Sequence, residues 1–260
     1  MDLVQRSNPW LEARKGKITA SNCGALLGLV SWTSRAEAYR RLIGISKFEG
    51  NAACDYGTNM ESAAISCYEI HTGNKVYATG LHTHPQNRWI AGSPDGFVGH
   101  DGMIEVKCPY YNKIPHEKVP NHYYLQMNCL MECTGKEWCD FVSWTPRHMT
   151  TFRVTRDTDL FSWLLSNPYN DILMQVKGGN ATITPFRPGE KQEIEERIQQ
   201  SMATHIDYDH YKRKHKWGED RCPFEQQQKK RSFDCFLTGS QEEHVSSEET
   251  GLPTVSAMEA

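Results

Sequence analysis

The chain has 260 residues, of which 38% are hydrophobic and 10% are aromatic, so it is long enough for one moderate domain with a real core. Its net charge of −3 is mild evidence against a nucleic-acid partner, although a basic channel beside an acidic metal site would cancel in that sum. The sequence contains no apolar run of membrane-spanning length and no apolar signal region at its start. Nine scattered cysteines suit free thiols, so we expect an intracellular protein of a reducing compartment, the cytoplasm or the nucleus.

Two helices are predicted before residue 30. The first begins at Asn8, and the second covers residues 19–27 with Ser21 as its candidate N-cap. A helix N-terminus presents free N–H groups and can bind a phosphate, and Arg14 lies nearby in the sequence. The alternative is that Ser21 is only a cap and Arg14 only a solvated charge.

Two further helices follow. Residues 34–37 form a capping box that opens a helix through Ile43, which Gly44 ends. Residues 57–71 predict the next helix, whose apolar side chains recur on one stripe: Met60, Ala63, Ala64, Cys67 and Tyr68. Glu61 lies on this helix and, taken alone, is an ordinary surface residue.

The middle of the chain predicts strands and then a helix. Residues 75–82 and 88–92 indicate two strands, and the second leads into the turn Ser93-Pro94-Asp95-Gly96. A third strand covers residues 103–108. Residues 121–133 then predict a helix that carries Gln126, which by itself is a helix-surface amide.

The C-terminal part predicts a hairpin followed by helices. Residues 138–144 and 149–155 are apolar, β-branched runs that flank a turn. Helices are predicted at three places further along the chain: residues 157–165, 171–176 and 189–208. The last has a packing stripe formed by Ile194, Ile198, Met202, His205 and Ile206.

The composition becomes polar from about residue 211. Residues 211–260 contain few core-forming side chains, so we expect a disordered tail, with a basic cluster at 212–216 that could contact DNA or act as a nuclear signal. The expected folded unit is therefore residues 1–210, with its core at about 8–155 and a C-terminal helical part at 156–210.

The strand at residues 103–108 carries the most informative chemistry. Side chains alternate along a strand, so Glu105 and Lys107 fall on one face while Ile104, Val106 and Cys108 fall on the other. If the turn at Asp95 joins adjacent strands, Asp95 lies beside Glu105. Two converging carboxylates can hold Mg²⁺, and a nearby lysine can orient or deprotonate a water molecule or offset charge in the transition state. The alternative is a surface hairpin with a weak Glu–Lys pair.

These residues also carry a resemblance. The pattern Pro94-Asp95 … Glu105-Val106-Lys107 resembles the Asp…Glu-x-Lys signature of the PD-(D/E)XK nuclease superfamily. Three ordered blocks, residues 10–21, 93–96 and 105–109, together resemble the phage-lambda-type exonuclease or YqaJ-type viral recombinase family over about residues 8–155. The resemblance implies an α/β fold with a restriction-endonuclease-like core, in which helices flank a central mixed sheet and Glu105 lies on a central strand.

The resemblance also implies roles for individual residues. It implies a Mg²⁺ site, which Mn²⁺ could also fill, whose ligands are Glu61 in Gly57-x-x-x-Glu61, Asp95, Glu105 and the Val106 carbonyl. Lys107 would position the attacking water with help from Gln126. A terminal 5′ phosphate would be held by four residues: Arg14, Ser21, Ser93 and Lys113. Lys113 stands where the family has an arginine, so it keeps the charge but loses the bidentate fork.

The implied activity is 5′-to-3′ exonuclease digestion of linear double-stranded DNA from its ends, in recombination, repair or viral DNA processing. The family further implies a ring-shaped trimer, a single-strand-annealing partner and, as one possibility, a viral gene product in a host cell. Two other functions stay open: a structure-specific endonuclease on the same core, and a non-catalytic DNA-binding or scaffold protein.

Overall fold

The computed structural model describes residues 3–111 and 114–211. Within them the chain forms eight α-helices: α1 (Asn8–Arg14), α2 (Ala20–Leu26), α3 (Arg35–Leu42), α4 (Ala52–Thr72), α5 (Asn121–Thr134), α6 (Thr158–Ser166), α7 (Pro168–Lys177) and α8 (Glu190–His205). The same residues form nine strands: β1 (Ile18–Thr19), β2 (Val76–Tyr77), β3 (His82–Thr83), β4 (Ile90–Gly92), β5 (Gly96–Val98), β6 (Gly102–Lys107), β7 (Trp138–Trp144), β8 (Met149–Thr155) and β9 (Ile206–Asp207).

The larger of two sheets has the strand order β2-β5-β6-β7-β8-β9. Strand β6 lies inside it, antiparallel to β5 and parallel to β7, with Glu105 opposite Phe141. A smaller sheet has the order β1-β4-β3, with β1 parallel to β4. The observed architecture is therefore a mixed α/β fold, and the expected placement of Glu105 on a central strand is confirmed.

The two faces of the large sheet pack against different helices. Met103 and Phe141 belong to the main core, which contains buried side chains of α2, α5, α6 and α8. Ile104 and Val106 belong to a second core under α4, together with Tyr68. Residues 103–106 of β6 thus alternate between two cores, as the period of a strand requires. Both faces of β6 are covered, which explains its nearly complete burial.

Local signals account for the helix boundaries. Ser34 caps α3, because its hydroxyl accepts a hydrogen bond from the Glu37 N–H at 3.1 Å. Helices α4 and α5 both end at a glycine with positive φ, Gly73 and Gly135, each at +72°. That conformation is inexpensive for glycine and lets its N–H close the last helical turn. The hairpin β7–β8 has the bounds that the sequence predicted.

Several predicted boundaries are wrong. Residues 75–82 do not form one strand, because β2 and β3 end up in different sheets. The predicted N-cap Ser21 lies inside α2, and the N-cap is Thr19, whose N–H donates to the Asn22 side chain at 2.9 Å. Helix α4 begins five residues before the predicted start at residue 57, because Asn51 supplies an earlier cap to the Cys54 N–H.

Three short strands went unpredicted: β5 lies in a stretch that the sequence indicated as a turn, whereas β1 and β9 pair with strands that are distant in sequence. Strand β1 lies in a stretch whose local signals are helical, and it pairs with β4 more than seventy residues later. Strand β9 follows α8 directly and pairs with β8. A two-residue strand has no periodicity of its own, so only the partner strand reveals it.

The C-terminal end of the described chain is tied to the second core. Asp140 of β7 is fully buried and accepts hydrogen bonds from the Tyr68 hydroxyl at 2.7 Å and from Arg153 at 2.8 and 2.9 Å. The Tyr211 hydroxyl donates to the same carboxylate. Tyr211, the first residue of the predicted tail, is therefore packed in this core. Residues 212–260 lie outside the described residues.

Two further findings concern the chain's environment. The cysteines in the described residues are all free thiols: Cys23, Cys54, Cys67, Cys108, Cys129, Cys133 and Cys139. None of the helices in that part of the chain combines the length and the apolar character needed to span a bilayer.

The tightest helix contact gives a stability prediction. A Cβ on Gly24 of α2 would lie 2.6 Å from the His122 Cβ and 3.0 Å from its Cα, so α5 would have to move. We expect Gly24→Ala to lower the free energy of unfolding by about 1–3 kcal/mol through overpacking. Urea denaturation would measure this loss.

Gly57→Ala is the matched control. Gly57 lies inside α4 with nothing within 4 Å of its ideal Cβ, so alanine should raise stability by about 0.5–1 kcal/mol. Equal effects of the two substitutions would contradict the close packing of α2 on α5.

Candidate active site

Glu105 stands at the centre of the candidate site. Its side chain is 2% exposed, and its Oε1 accepts hydrogen bonds from Lys107 Nζ and from Gln126 Nε2, each at 2.6 Å. Its Oε2 is buried and has no hydrogen-bond partner among the described residues. An ionised carboxylate is an acceptor on both oxygens, so the second oxygen is available to a further ligand. Strand β6 and helix α5 thus bring together three of the predicted residues.

Asp95 joins this group through the backbone of β6. It lies in the turn between β4 and β5, and its Oδ2 accepts a hydrogen bond from the Val106 N–H at 2.7 Å. Burial raises the pKa of the Asp95 carboxyl well above its usual range, and the negative charges of Glu105 and Glu61 add to this effect, whereas Lys107 opposes it. The turn brings Asp95 beside Glu105, but the expected reason is wrong, because β4 and β5 belong to different sheets and the turn links the two sheets instead of joining adjacent strands.

Lys107 offsets the charge of these carboxylates. Burial disfavours its ammonium form, but Glu105, Tyr123 and Asp95 together outweigh burial and raise the pKa of Lys107 above its usual value. The amine also lies 4.6 Å from the centre of the Tyr123 ring, a cation–π distance. For Glu105, burial raises the carboxyl pKa and Lys107 counteracts part of that shift. The lysine is thus held as a cation, which suits it to orient a water molecule or to stabilise developing negative charge.

Glu61 is near the carboxylates but points to another partner. It lies on α4, its side chain is 24% exposed, and its Oε2 accepts from Arg6 Nη2 at 2.7 Å. Its charge is close enough to raise the Asp95 pKa. Within residues 3–111 and 114–211, no group of three or more His, Cys, Asp or Glu side chains is arranged to hold a metal ion.

The donor set nevertheless fits a hard divalent cation. Asp95 and Glu105 supply carboxylate oxygens, which Mg²⁺ prefers over nitrogen or sulfur. The buried, unpartnered Oε2 of Glu105 is an acceptor with no proton donor in reach among the described residues. Such an atom is costly unless a ligand satisfies it.

A second group of predicted residues forms a connected chain. The Trp10 Nε1 donates to Ser93 Oγ at 2.8 Å, and the Arg14 guanidinium lies 4.1 Å from the Trp10 ring centre. Arg14 Nη2 then donates to Ser21 Oγ at 2.9 Å. Burial lowers the pKa of Arg14 to about 10, so it remains a cation at neutral pH. Three predicted phosphate ligands are thus linked through Trp10, while Lys113 lies outside the described residues.

Other residues at the site were not singled out from the sequence. Gln5 Nε2 donates to the Pro94 carbonyl at 2.8 Å, and Arg6 reaches Glu61. Neither belongs to a recognisable motif, so no sequence signal could have found them. Trp10 and Tyr123 had a signal: Trp10 lies within the first motif block, and Tyr123 precedes Gln126 by three residues on one face of α5.

Comparisons with known proteins show which family and fold the chain resembles. Residues 9–137 match the model of the YqaJ-like viral recombinase domain. Uncharacterized protein R354 of Acanthamoeba polyphaga mimivirus is 23% identical over 163 residues, a match that covers 53% of this chain and 28% of the viral protein. The chain therefore spans little more than a quarter of the length of that curated relative.

Solved structures show a similar fold. An alkaline exonuclease (LHK-Exo) from Laribacter hongkongensis is 29% identical with a TM-score of 0.56, over 75% of this chain and 99% of that one. The structure of LHK-Exo in complex with dAMP is likewise 29% identical, with a TM-score of 0.54, over 76% of this chain and 97% of that one. The fold of the chain is thus similar to that of this alkaline exonuclease, a PD-(D/E)XK-like mixed α/β core.

His122 next to Lys107 gives a pH prediction. Burial lowers the pKa of His122 to about 4, and Lys107 and His116 contribute. Between pH 6.5 and 4 the unfolded chain therefore binds a proton at His122 that the folded chain does not. The free energy of unfolding must then fall as the pH falls through this window. We expect urea midpoints of His122→Gln to depend less on pH there than those of the wild type.

His100→Gln is the control for this measurement. The His100 side chain is 97% exposed and contacts Asp101, so its replacement tests whether loss of any histidine, and not of His122 in particular, changes the slope. Equal slopes for wild type and His122→Gln would rule out a neutral, half-buried His122.

Proposed function

This chain contains a YqaJ-like viral recombinase domain at residues 9–137, and from that premise we propose that it is a Mg²⁺-dependent deoxyribonuclease. It removes nucleotides from the ends of linear double-stranded DNA in the 5′-to-3′ direction. The observation that carries the proposal is the buried Glu105 carboxylate, which is held by Lys107 and Gln126 and keeps one oxygen without a partner.

The proposed metal ligands are oxygen atoms of four residues: Glu61, Asp95, Glu105 and the carbonyl of Val106. Mn²⁺ should be able to replace Mg²⁺ in this all-oxygen set. The bound cation would neutralise the scissile phosphodiester and lower the pKa of a water molecule. Glu61 completes the set only after it leaves Arg6, with which it is paired at 2.7 Å.

Lys107 and Gln126 orient the attacking water in this proposal. Both donate to Glu105 Oε1, so one carboxylate oxygen fixes the positions of an ammonium group and an amide. Lys107 remains protonated beside Glu105, which places a positive charge where the phosphoryl oxygens gain negative charge. Its role is therefore to stabilise and orient.

The connected residues Arg14, Ser21 and Ser93 hold the terminal 5′ phosphate, and Lys113 is a fourth candidate. Arg14 already donates to Ser21, and its planar guanidinium can bind a phosphate through two parallel hydrogen bonds. LHK-Exo has been solved in complex with dAMP, which supports a nucleotide-binding site on this fold. A site for a terminal phosphate favours exonuclease action, because only a chain end can provide one.

The proposal extends to the biological setting by family resemblance alone. The products would be 3′ single strands for recombination or repair, the enzyme a ring-shaped trimer, and its partner a single-strand-annealing protein. The proposed nuclease domain is residues 1–210, in a protein of an intracellular compartment or of a virus. The related mimivirus protein favours a viral setting.

The deciding experiment measures Mg²⁺-dependent nucleotide release from 5′-phosphorylated linear duplex and from covalently closed circles. We expect release from the linear substrate only, and its loss in EDTA. Lys107→Ala should lower the rate by at least about a hundred-fold while DNA binding persists, because the charge acts on the transition state. Lys191→Ala on α8, 49% exposed, is the matched control and should retain full activity.

Cutting of closed circles would favour a structure-specific endonuclease on the same core. Binding without any cleavage would leave a DNA-binding or scaffold protein. Normal turnover by Lys107→Ala would exclude the proposed mechanism.

A second prediction addresses the 5′ phosphate. Arg14→Ala should lose about ten- to a hundred-fold of the preference for 5′-phosphorylated over 5′-hydroxyl duplex, the range expected for a charged hydrogen bond. Digestion rates of both substrates would be compared with those of Lys17→Ala. Lys17 donates to the Arg88 carbonyl and lies in the same region, so it controls for loss of charge. An unchanged preference in Arg14→Ala would remove this residue from the phosphate site.

A further inference from the structure

The segment before α1 forms a tight turn beside the candidate active site. The Ser7 N–H donates to the Val4 carbonyl at 3.2 Å, which closes a turn of four residues. Arg6 occupies its third position with φ at +68° and is the non-glycine residue with positive φ among those described. This backbone conformation is unusual for residues other than Gly, Asn or Asp. Residues held in this way often cluster at functional sites.

The turn at residues 4–7 contacts the two segments that carry the Asp95 and Glu61 carboxylates. Gln5 Nε2 donates to the Pro94 carbonyl at 2.8 Å, one residue before Asp95. Arg6 Nη2 donates to Glu61 Oε2 at 2.7 Å. One short segment thus holds the loop of Asp95 and at the same time places a cation on Glu61 of α4.

The contact between Arg6 and Glu61 lies among carboxylates that repel one another. Asp95, Glu105 and Glu61 repel one another, and this repulsion contributes to the raised pKa of Asp95. The guanidinium of Arg6 places a positive charge on Glu61 Oε2, where it competes with any other cation for that oxygen. A metal ion that binds Glu61 through Oε2 must displace Arg6.

We propose that Arg6 is a positioning residue that holds the Glu61 carboxylate outside the metal set until a divalent cation displaces it. This inference rests on the proposed function, in which Glu61 is a metal ligand. Arg6 therefore lowers the affinity of the free enzyme for the metal. It also explains why the carboxylates are close enough to interact but are not arranged as a metal site in the described residues.

The test measures Mn²⁺ affinity in the absence of DNA, from the electron paramagnetic resonance signal of free Mn²⁺. Arg6→Gln should bind Mn²⁺ about two- to five-fold more tightly than the wild type, the range expected for an exposed ion pair. Arg6→Gly should do the same, and glycine also suits the positive φ, so this variant guards against misfolding.

Three controls separate this effect from general changes. Arg6→Lys keeps the charge and should retain the wild-type affinity. Lys15→Gln removes an exposed lysine that pairs with Glu12 on α1, and it should change nothing. In a Glu61→Gln background, Arg6→Gln should no longer tighten binding, because the group on which Arg6 acts has lost its charge.

Unchanged or weaker Mn²⁺ binding by Arg6→Gln and Arg6→Gly would overturn the inference, since a merely structural turn would weaken the site when altered. Failure of the proposed function has a different signature. In that case the wild type would bind no Mn²⁺, or Asp95→Asn and Glu105→Gln would bind it as well as the wild type. Either result would remove the metal site itself and the role of Arg6 with it.

Discussion

A carboxylate buried in the middle of a sheet is the interaction on which the rest of this structure depends. Removing the charge of Glu105 from water is expensive unless donors surround it. Lys107 and Gln126 supply two such donors to one oxygen, and the other oxygen keeps its capacity for a ligand. An apolar residue at position 105 would avoid the cost of burying a charge. The burial, the paired lysine and the unpartnered oxygen together indicate a site built for chemistry.

The scaffold around this carboxylate holds its neighbours from several directions. Strand β6 is paired on both sides, so the spacing of Glu105 and Lys107 cannot change without disrupting the sheet. The Val106 N–H fixes Asp95 across the turn from β4. On α5, Gln126 reaches Glu105 from the main core, whereas α4 brings Glu61 from the side of the second core. Rigid elements of this kind position functional groups more accurately than loops do.

The second core also shows how the opposite face is secured. Asp140, on the neighbouring strand, is likewise buried and ionisable, but Arg153, Tyr68 and Tyr211 donate to both of its oxygens. The contrast with Glu105 is informative, because one carboxylate is satisfied on both oxygens and the other is satisfied on one. Asp140 ties helix α4 and the C-terminal end of the described chain to the sheet. Of the two carboxylates, only Glu105 keeps an oxygen that can accept a further ligand.

The sequence by itself determined where strand β6 lies and which of its side chains share a face. Alternation, the bounding Gly102 and Pro109 and the Pro-Asp-Gly turn predicted the strand, the shared face of Glu105 and Lys107, and the bend at Asp95. These are local features, since strand period and turn chemistry act over a few residues. The same holds for the hairpin β7–β8 and for the helices that begin at recognisable caps. The three motif blocks also indicated the family, and with it the α/β fold.

Tertiary structure alone decided the features that join distant segments. Strands β1 and β9 exist because of partners elsewhere in the chain, and Thr19 rather than Ser21 caps α2 because the backbone leaves β1 at that residue. The link from Ser93 through Trp10 to Arg14 crosses more than eighty residues. The pairing of Glu61 with Arg6 joins residues fifty-five positions apart. No local propensity encodes such contacts, because they arise only when packing of the cores has fixed where each segment lies.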